Sequence, residues 1–442
     1  MKRKINISPP QVLALGFFCI ILLGTLLLCL PISSTDGYTH FADALFTATS
    51  ATCVTGLVTL TTATHWTLFG KIVILILIQT GGLGFMTFIS LSAFIAKKKL
   101  NLKDRQLIMQ SSGSLEINEL SRFLKKIVIG TVIIESIGAI LLSIRFWTYG
   151  HNFINGLWYG IFHSISAFCN AGFDVLGDSS VEQFYNDPYI LLVLSILIIV
   201  GGIGFLVWDD ITKHGLRIKR YSLHSKLALS ITGMLLLIGT LVLYGTEYNY
   251  AFSGLNQWQK WLNAFFESVT LRTAGFAAVN QGSLSPAGTI FSCALMLIGG
   301  SPGSTAGGIK TVTFFVVIIN AVALAKSKNS LTIFKKRIHD SVIKQATAII
   351  SLYLALAITV IIVLLILEPD MATEDIIFEV FSAIATVGLT RGITPSLCIA
   401  SKIIIAFTMY FGRLGGLTLL LALTNTRPRP TADRPYGKIL IG

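Results

Sequence analysis

Charge is what this 442-residue chain has least of: only 12% of its residues are Asp, Glu, Lys or Arg. A soluble domain carries roughly 25%. So few charges cannot cover a water-facing surface, and a soluble globular protein is excluded. Cysteine is sparse and unpatterned. Cys19, Cys29, Cys53, Cys169, Cys293 and Cys398 form no C-x-x-C pair and lie mostly inside apolar runs. That excludes a zinc ribbon and argues against a disulfide framework. The seven histidines are scattered, with no H-E-x-x-H. Catalytic pairs inside apolar stretches are missing too. Glu135 stands alone, and Asp209-Asp210 ends a run. An intramembrane protease or lipid transferase would need paired Asp, Ser–His or metal ligands there, so the chain is not read as an enzyme. Nor is any polar stretch long enough for a nucleotide-binding domain; Lys97–Lys126 is the longest.

Apolar length is abundant. Hydrophobic residues make up 53% of the chain, and mean hydropathy is +0.75. A membrane helix needs about 20 apolar residues. Eight stretches qualify: 11–32, 69–95, 127–147, 189–208, 227–244, 287–323, 346–367 and 398–424. The first follows Lys2-Arg3-Lys4 and is longer than a signal-peptide core, so it is taken as a retained span. The sequence thus predicts an all-α, multi-pass integral membrane protein.

The formal charge is +13. Its Lys and Arg cluster after the second span (Lys97–Lys99, Lys103, Arg105, Arg122, Lys125, Lys126), the fourth (Lys213, Arg217, Lys219, Arg220, Lys226), the sixth (Lys326, Lys328, Lys335–Arg337, Lys344), and in the tail (Arg427, Arg429, Arg434, Lys438). Basic loops stay cytoplasmic. This excess points to the inner face of a cell membrane and away from nucleic acid. Both termini are expected to be cytoplasmic. The remaining connections hold Asp36; Asp174, Asp178, Glu182 and Asp187; Glu368, Asp370, Glu374 and Asp375, and should face outward.

Each outward connection contains a semi-apolar segment too short to cross, hence re-entrant. Aligned without gaps, the four are Phe46-TATSATCVT-Gly56-Leu57, Phe162-HSISAFCNA-Gly172-Phe173, Phe265-FESVTLRTA-Gly275-Phe276 and Phe378-EVFSAIATV-Gly388-Leu389. Their glycines are 116, 103 and 113 residues apart. Such a repeat places four equivalent elements around one axis. The expected architecture is four span–re-entrant pore loop–span repeats, eight spans in all, around a central ion pore. The repeat boundaries are 1–100, 101–212, 213–328 and 329–442. A glycine-rich patch follows in each unit: Gly81-Gly82-Leu83-Gly84, Gly201-Gly202-Ile203-Gly204, Gly299-Gly300, and Gly412-Arg413-Leu414-Gly415. In the first two, close helix packing is the expected role.

The loop apices are small or β-branched residues running into glycine, with no carboxylate ring. Backbone carbonyls are then the natural cation ligands, as in potassium filters. Glycine permits the positive φ that such loops use. Gly299–Thr311 interrupts the sixth span with glycine and proline, which break a helix. Irregular backbone at that depth lines a cavity or is buried in protein. A flexible loop below the apices is a candidate gate. Lys310-Thr311 superficially ends like a phosphate-binding loop, but no glycine immediately precedes the lysine. Arg413 is a mid-membrane charge. It either faces the cavity as a barrier to cations or pairs structurally with an acid or carbonyls. Arg272 is expected to point behind the apex toward Glu267.

These motifs resemble the Trk/Ktr/HKT superfamily of potassium transporters, and most closely the membrane subunit of bacterial Ktr uptake systems. The residues that carry the likeness are S-A-T-C-V-T-G-L (50–57), H-S-I-S-A-F-C-N-A-G-F (163–173), T-L-R-T-A-G-F (270–276), A-T-V-G-L-T (385–390), Q-T-G-G-L-G-F-M-T-F (79–88), G-S-T-A-G-G-I-K (303–310) and F-G-R-L-G (411–415). The resemblance implies potassium as substrate, uptake often supported by sodium, and no cofactor within this chain. It implies a homodimer with one pore per subunit, and a cytoplasmic ring of nucleotide-binding regulatory subunits. By position it assigns the filter to Val54, Thr55 and Gly56; Asn170, Ala171 and Gly172; Thr273, Ala274 and Gly275; Thr386, Val387 and Gly388. The gate falls on Gly303, Ser304, Thr305, Ala306, Gly307 and Gly308, and the barrier on Arg413. Only the fourth loop approaches the tetrameric-channel signature, and Ser301-Pro302 places a proline where the family pattern has small residues. The rival reading is an alternating-access potassium or sodium carrier, which would favour two inverted halves with charged midplane residues.

Overall fold

The computed structural model describes residues 9–84, 120–327, 331–415 and 418. The basic clusters at Lys2–Lys4, Lys97–Lys99, Lys103, Arg105 and Lys328, and those of the tail, lie outside them.

The described chain is helical apart from short connections and one two-residue strand pair, Thr332–Ile333 with Lys336–Arg337. Its turn residues Phe334 and Lys335 have φ of 48° and 64°. Fourteen principal helices follow the same three-part order four times. The first unit has α1 (Pro9–Leu28), α2 (Phe41–Cys53) and α3 (Leu68–Leu83). The second has α4 (Leu120–Thr148), α5 (Phe153–Phe168), α6 (Pro188–Gly202) and α7 (Phe205–His214). The third has α8 (Leu223–Glu247), α9 (Gln257–Thr270), α10 (Pro286–Leu297) and α11 (Thr311–Ala325). The fourth has α12 (Asp340–Leu367), α13 (Thr373–Ala385) and α14 (Ile399–Leu414).

Among the described residues, four helices are long and apolar enough to cross a membrane: Pro10–Leu28, Phe123–Thr148, Leu223–Glu247 and Asp340–Leu367. These open the four units. The helix that closes each unit is shorter or broken. The 189–208 stretch, expected as one span, bends by 94° between α6 and α7. Gly204, at φ 97°, makes the corner. Helix starts are set locally. Asp187 accepts hydrogen bonds from the Tyr189 and Ile190 N–H groups ahead of Pro188, and Ser285 caps Gly288 N–H ahead of Pro286. A capping side chain followed by proline at the first helical position leaves fewer orphan donors.

The short helices α2, α5, α9 and α13 are the most enclosed elements. Phe46, Phe162, Phe266 and Phe378 are fully buried in them. Their packing is cyclic. α3 of the first unit packs on α5 of the second, α6 on α9, α10 on α13, and α14 returns to α2. An ion pair of 2.7 Å between Lys402 on α14 and Asp43 on α2 ties the last unit to the first.

Candidate functional site

Each short helix ends in the same backbone figure. Val54, Asn170, Thr273 and Thr386 have φ of 56°, 58°, 70° and 52°. Each lies two residues before a glycine that is also left-handed: Gly56 (99°), Gly172 (68°), Gly275 (81°) and Gly388 (95°). Three of the four leading residues are β-branched, for which this region costs of order 1–3 kcal/mol each. Such strain persists only where the surroundings overdetermine it. Alternating the sign of φ lets successive carbonyls face one side, where a regular strand would alternate them.

The four glycines meet. A Cβ added to Gly56 would lie 2.6 Å from the Ala171 carbonyl oxygen, and one on Gly172 would lie 2.7 Å from Gly275 Cα. One on Gly275 would lie 2.5 Å from the Val387 carbonyl oxygen and 3.3 Å from Gly388 Cα. One on Gly388 would overlap the Thr55 carbonyl oxygen and lie 2.8 Å from Gly56 Cα. The contacts run from unit one to two, three, four and back. Repeats more than 100 residues apart in sequence therefore converge on one narrow ring, and each added side chain would strike backbone.

The loops are held from behind by hydroxyl groups on the short helices. Ser50 Oγ accepts from Gly56 N–H and Ser382 Oγ from Gly388 N–H, both at 3.0 Å. Ser166 Oγ and Thr270 Oγ1 donate to the Phe173 and Phe276 carbonyls at 2.7 Å. The Thr55, Ala171 and Val387 N–H groups turn back to the Ser50, Ser166 and Ser382 carbonyls at 2.8 Å. Among the described residues no protein donor reaches the carbonyls of Thr55, Ala171, Ala274 or Val387. Four helix C-termini, each carrying about half a negative charge, end at this ring. The arrangement offers oxygen dipoles and negative helix ends, which is an environment for a cation. Sequence inspection missed the four hydroxyls; a hydroxyl five or six residues before each glycine was the available signal.

Residues 299–310 form an irregular segment between α10 and α11, pinned along its length. Ser301 N–H donates to the Gly202 carbonyl at 2.9 Å, and Phe205 N–H donates to the Gly303 carbonyl at 2.7 Å. Thr305 Oγ1 donates to the Phe168 carbonyl at 3.1 Å and lies 3.3 Å from Asn170 Oδ1. Gly307 and Gly308 press on the fourth loop: added Cβ atoms would strike Thr386 Oγ1 and approach the Ala385 carbonyl oxygen to 3.1 Å. Lys310 Nζ bonds within the segment to the Ala306 carbonyl at 2.5 Å. Thus the expected gate residues abut the second and fourth loops.

Arg413 joins two of these parts. Its guanidinium donates to the carbonyls of Thr305, Gly81 and Gly82, the last at 3.2 Å. The neighbouring Gly412 explains how it gets there. Gly81, Gly201 and Gly412 hold equivalent places, and an added Cβ on each would collide with the last-turn carbonyls of Thr52, Phe168 and Ile384. The glycine patches therefore seat each closing helix against the end of its own unit's short helix, the packing role expected for the first two. Arg272 lies behind the ring as expected but has a different partner from Glu267. Its guanidinium points behind the ring to Thr232 Oγ1 on α8 at 3.4 Å, while Glu267 accepts from Gln281 Nε2 at 3.2 Å. Glu135 is not isolated after folding: Gln79 Nε2 donates to it at 3.1 Å, beside Cys169.

The comparisons with known proteins show the family. A family profile described as "TrkH: Cation transport protein" matches residues 22–432. The chain is 42% identical over 455 aligned positions to "Potassium/sodium uptake protein NtpJ" of Enterococcus hirae, covering all of this chain and 99% of that one. It is 40% identical to "Ktr system potassium uptake protein B" of Bacillus subtilis, covering all of this chain and 98% of that one. In fold it is similar to the crystal structure of the potassium transporter TrkH from Vibrio parahaemolyticus. That match has a TM-score of 0.73 at 18% identity, and covers 96% of this chain and 87% of that one. The chain belongs to the TrkH family of cation transport proteins, and is a membrane cation transporter, not an enzyme.

Proposed function

We propose that this chain takes up potassium along a channel-like path through the ring of Gly56, Gly172, Gly275 and Gly388. The observation that carries the reading is the cyclic closure of these four loops, each with a left-handed residue two positions before its glycine. In this reading eight spans in four repeats surround the path, and the carbonyls of the twelve loop residues replace the ion's water shell. Relatives whose names specify potassium or potassium/sodium uptake support this cargo. Residues 303–308 gate the path from the cytoplasmic side, and Arg413 holds the gate while adding a positive barrier. The chain works as a homodimer with a pore in each subunit. A cytoplasmic ring of nucleotide-binding subunits docks on its basic loops, and sodium supports uptake. Both termini face the cytoplasm.

The test is growth of a potassium-uptake-deficient bacterium on low potassium, with the chain alone and with a nucleotide-binding partner. Rescue together with rubidium flux supports the reading. A protein present in the membrane that carries sodium but neither rubidium nor potassium overturns it.

A second expectation concerns the outer connection. Asp174 follows Gly172 by two residues. Burial is the main influence on its carboxyl and raises it to about 6; N–H groups of Leu176 and Gly177 partly oppose this, and Asp178 adds to it. A raised carboxyl is neutral below that pH and charged above it, and a negative charge at the mouth concentrates cations. The apparent potassium affinity should therefore weaken as external pH falls through about 6. Asp174→Asn should remove that dependence. An identical pH profile in wild type and variant would exclude Asp174.

A further inference from the structure

At the basic end of α4 an apolar groove of about 590 Å³ opens between α4, α6 and α7. Ile133, Ile134, Val200, Phe205 and Trp208 wall it. Gly130 lets the Trp208 ring lie close against α4: an added Cβ there would sit 3.0 Å from it. Trp208 Nε1 is already satisfied by the Val200 carbonyl at 3.0 Å, so its ring serves as wall. The groove continues an exposed apolar stripe on α4, where Ile129, Ile133 and Ile137 are 47%, 53% and 53% exposed at helical spacing. In a membrane protein such a stripe meets lipid.

Lys125 and Lys126, both exposed, stand at one rim. The acid among the lining residues, Asp209, is paired by Lys126 at 2.8 Å and by Lys213 at 2.7 Å. Positive charge is therefore in surplus where the groove opens, on the side assigned to the cytoplasm by its basic residues. Tryptophan is enriched at membrane–water interfaces. An apolar slot ending in lysines matches an acyl chain with a negative headgroup.

We propose that the α4–α6–α7 groove binds one anionic glycerophospholipid of the inner leaflet, with an acyl chain along Ile133, Val200 and Trp208 and its phosphate on Lys125 and Lys126. The site has a route to the segment 299–310. Phe205 lines the groove, and its N–H donates to the Gly303 carbonyl. An occupied groove braces α7 and, through it, Gly303. That link to flux rests on the gate reading above, whereas the binding does not.

The experiment uses the full chain in nanodiscs holding equal phosphatidylglycerol and phosphatidylcholine, followed by native mass spectrometry of retained lipid. Three proteins are compared: wild type, the Lys125→Ala/Lys126→Ala double variant, and Ile133→Trp, which fills the slot. Wild type should retain phosphatidylglycerol in preference. Each lysine near a membrane surface is worth about fivefold in anionic lipid binding. The double variant should lose the preference while still holding some phosphatidylcholine, and Ile133→Trp should lose both lipids. Equal retention of the two lipids by wild type, or a preference unmoved in both variants, overturns the proposal. That result would leave the groove to residues 85–119 or to a second copy. Rubidium flux in proteoliposomes of the same lipid mixture reads the coupling separately: lipid preference without a flux difference would reject the brace and leave the binding site standing.

Discussion

Gly388→Asp should abolish potassium uptake with the protein still in the membrane. At φ 95° a side chain is strained before any contact is considered. Here the contact is also severe. The new Cβ overlaps the Thr55 carbonyl oxygen and lies 2.8 Å from Gly56 Cα, so the obstacle is backbone of another repeat and no rotamer relieves it. The carboxylate would stand among carbonyl oxygens, where an uncompensated buried charge costs several kcal/mol. A loss of about a hundredfold or more in rubidium uptake follows from about 3 kcal/mol. Gly56→Ser is the milder form. It keeps a small side chain but forces the same left-handed position against the Ala171 carbonyl at 2.6 Å. Strain of about 1–3 kcal/mol, spread through the ring, should lower potassium-over-sodium discrimination by about tenfold. Gly233→Ala on α8, where an added Cβ meets nothing within 4 Å, is the control and should transport normally. Full rescue by Gly388→Asp would end the assignment of the ring as the ion path.

The second large effect concerns residues 303–308. Deleting them should raise basal flux in the absence of any partner, because Thr305 and Gly307 abut Asn170 and Thr386, the left-handed residues that lead into the ring. Arg413→Ala tests the same closure without shortening the chain. It removes charge-assisted bonds to Thr305, Gly81 and Gly82. Hydrogen bonds to charged groups contribute about 1.5–3 kcal/mol, so the attachment of this segment should weaken by about tenfold to a hundredfold. Flux through proteoliposomes without regulatory subunits is the readout. Arg413→Lys keeps the charge but loses the fork that spans two segments, and should fall between wild type and alanine. Unchanged flux in the deletion and in Arg413→Ala, with normal assembly, would make the segment a structural plug.

Much of this was readable from residues alone. The Phe-to-Gly spacing of ten, found four times, places Val54, Asn170, Thr273 and Thr386 at equivalent positions. Glycine and proline density located the break at 299–310, because those residues cannot continue a helix. The bend at Gly202–Gly204 was not readable. Gly201-Gly202-Ile203-Gly204 looks like Gly81-Gly82-Leu83-Gly84, and only the docking of Ser301 and Phe205 with the neighbouring segment shows where the chain after it must go. Arg272 was placed toward the wrong partner, because sequence proximity suggested Glu267, whereas α8 supplies Thr232 from 40 residues away.

By itself the sequence determined the membrane class, the fourfold repeat, the loop glycines and the irregular segment. All of these follow from composition, spacing and local backbone preference, which act within one element. The tertiary structure decided what those elements do to one another. It closed α14 onto α2, aimed Arg413 at three carbonyls from two other units, set hydroxyls behind the loops and opened a groove beside Trp208. Each depends on contacts between residues far apart in the chain, and no local preference encodes them.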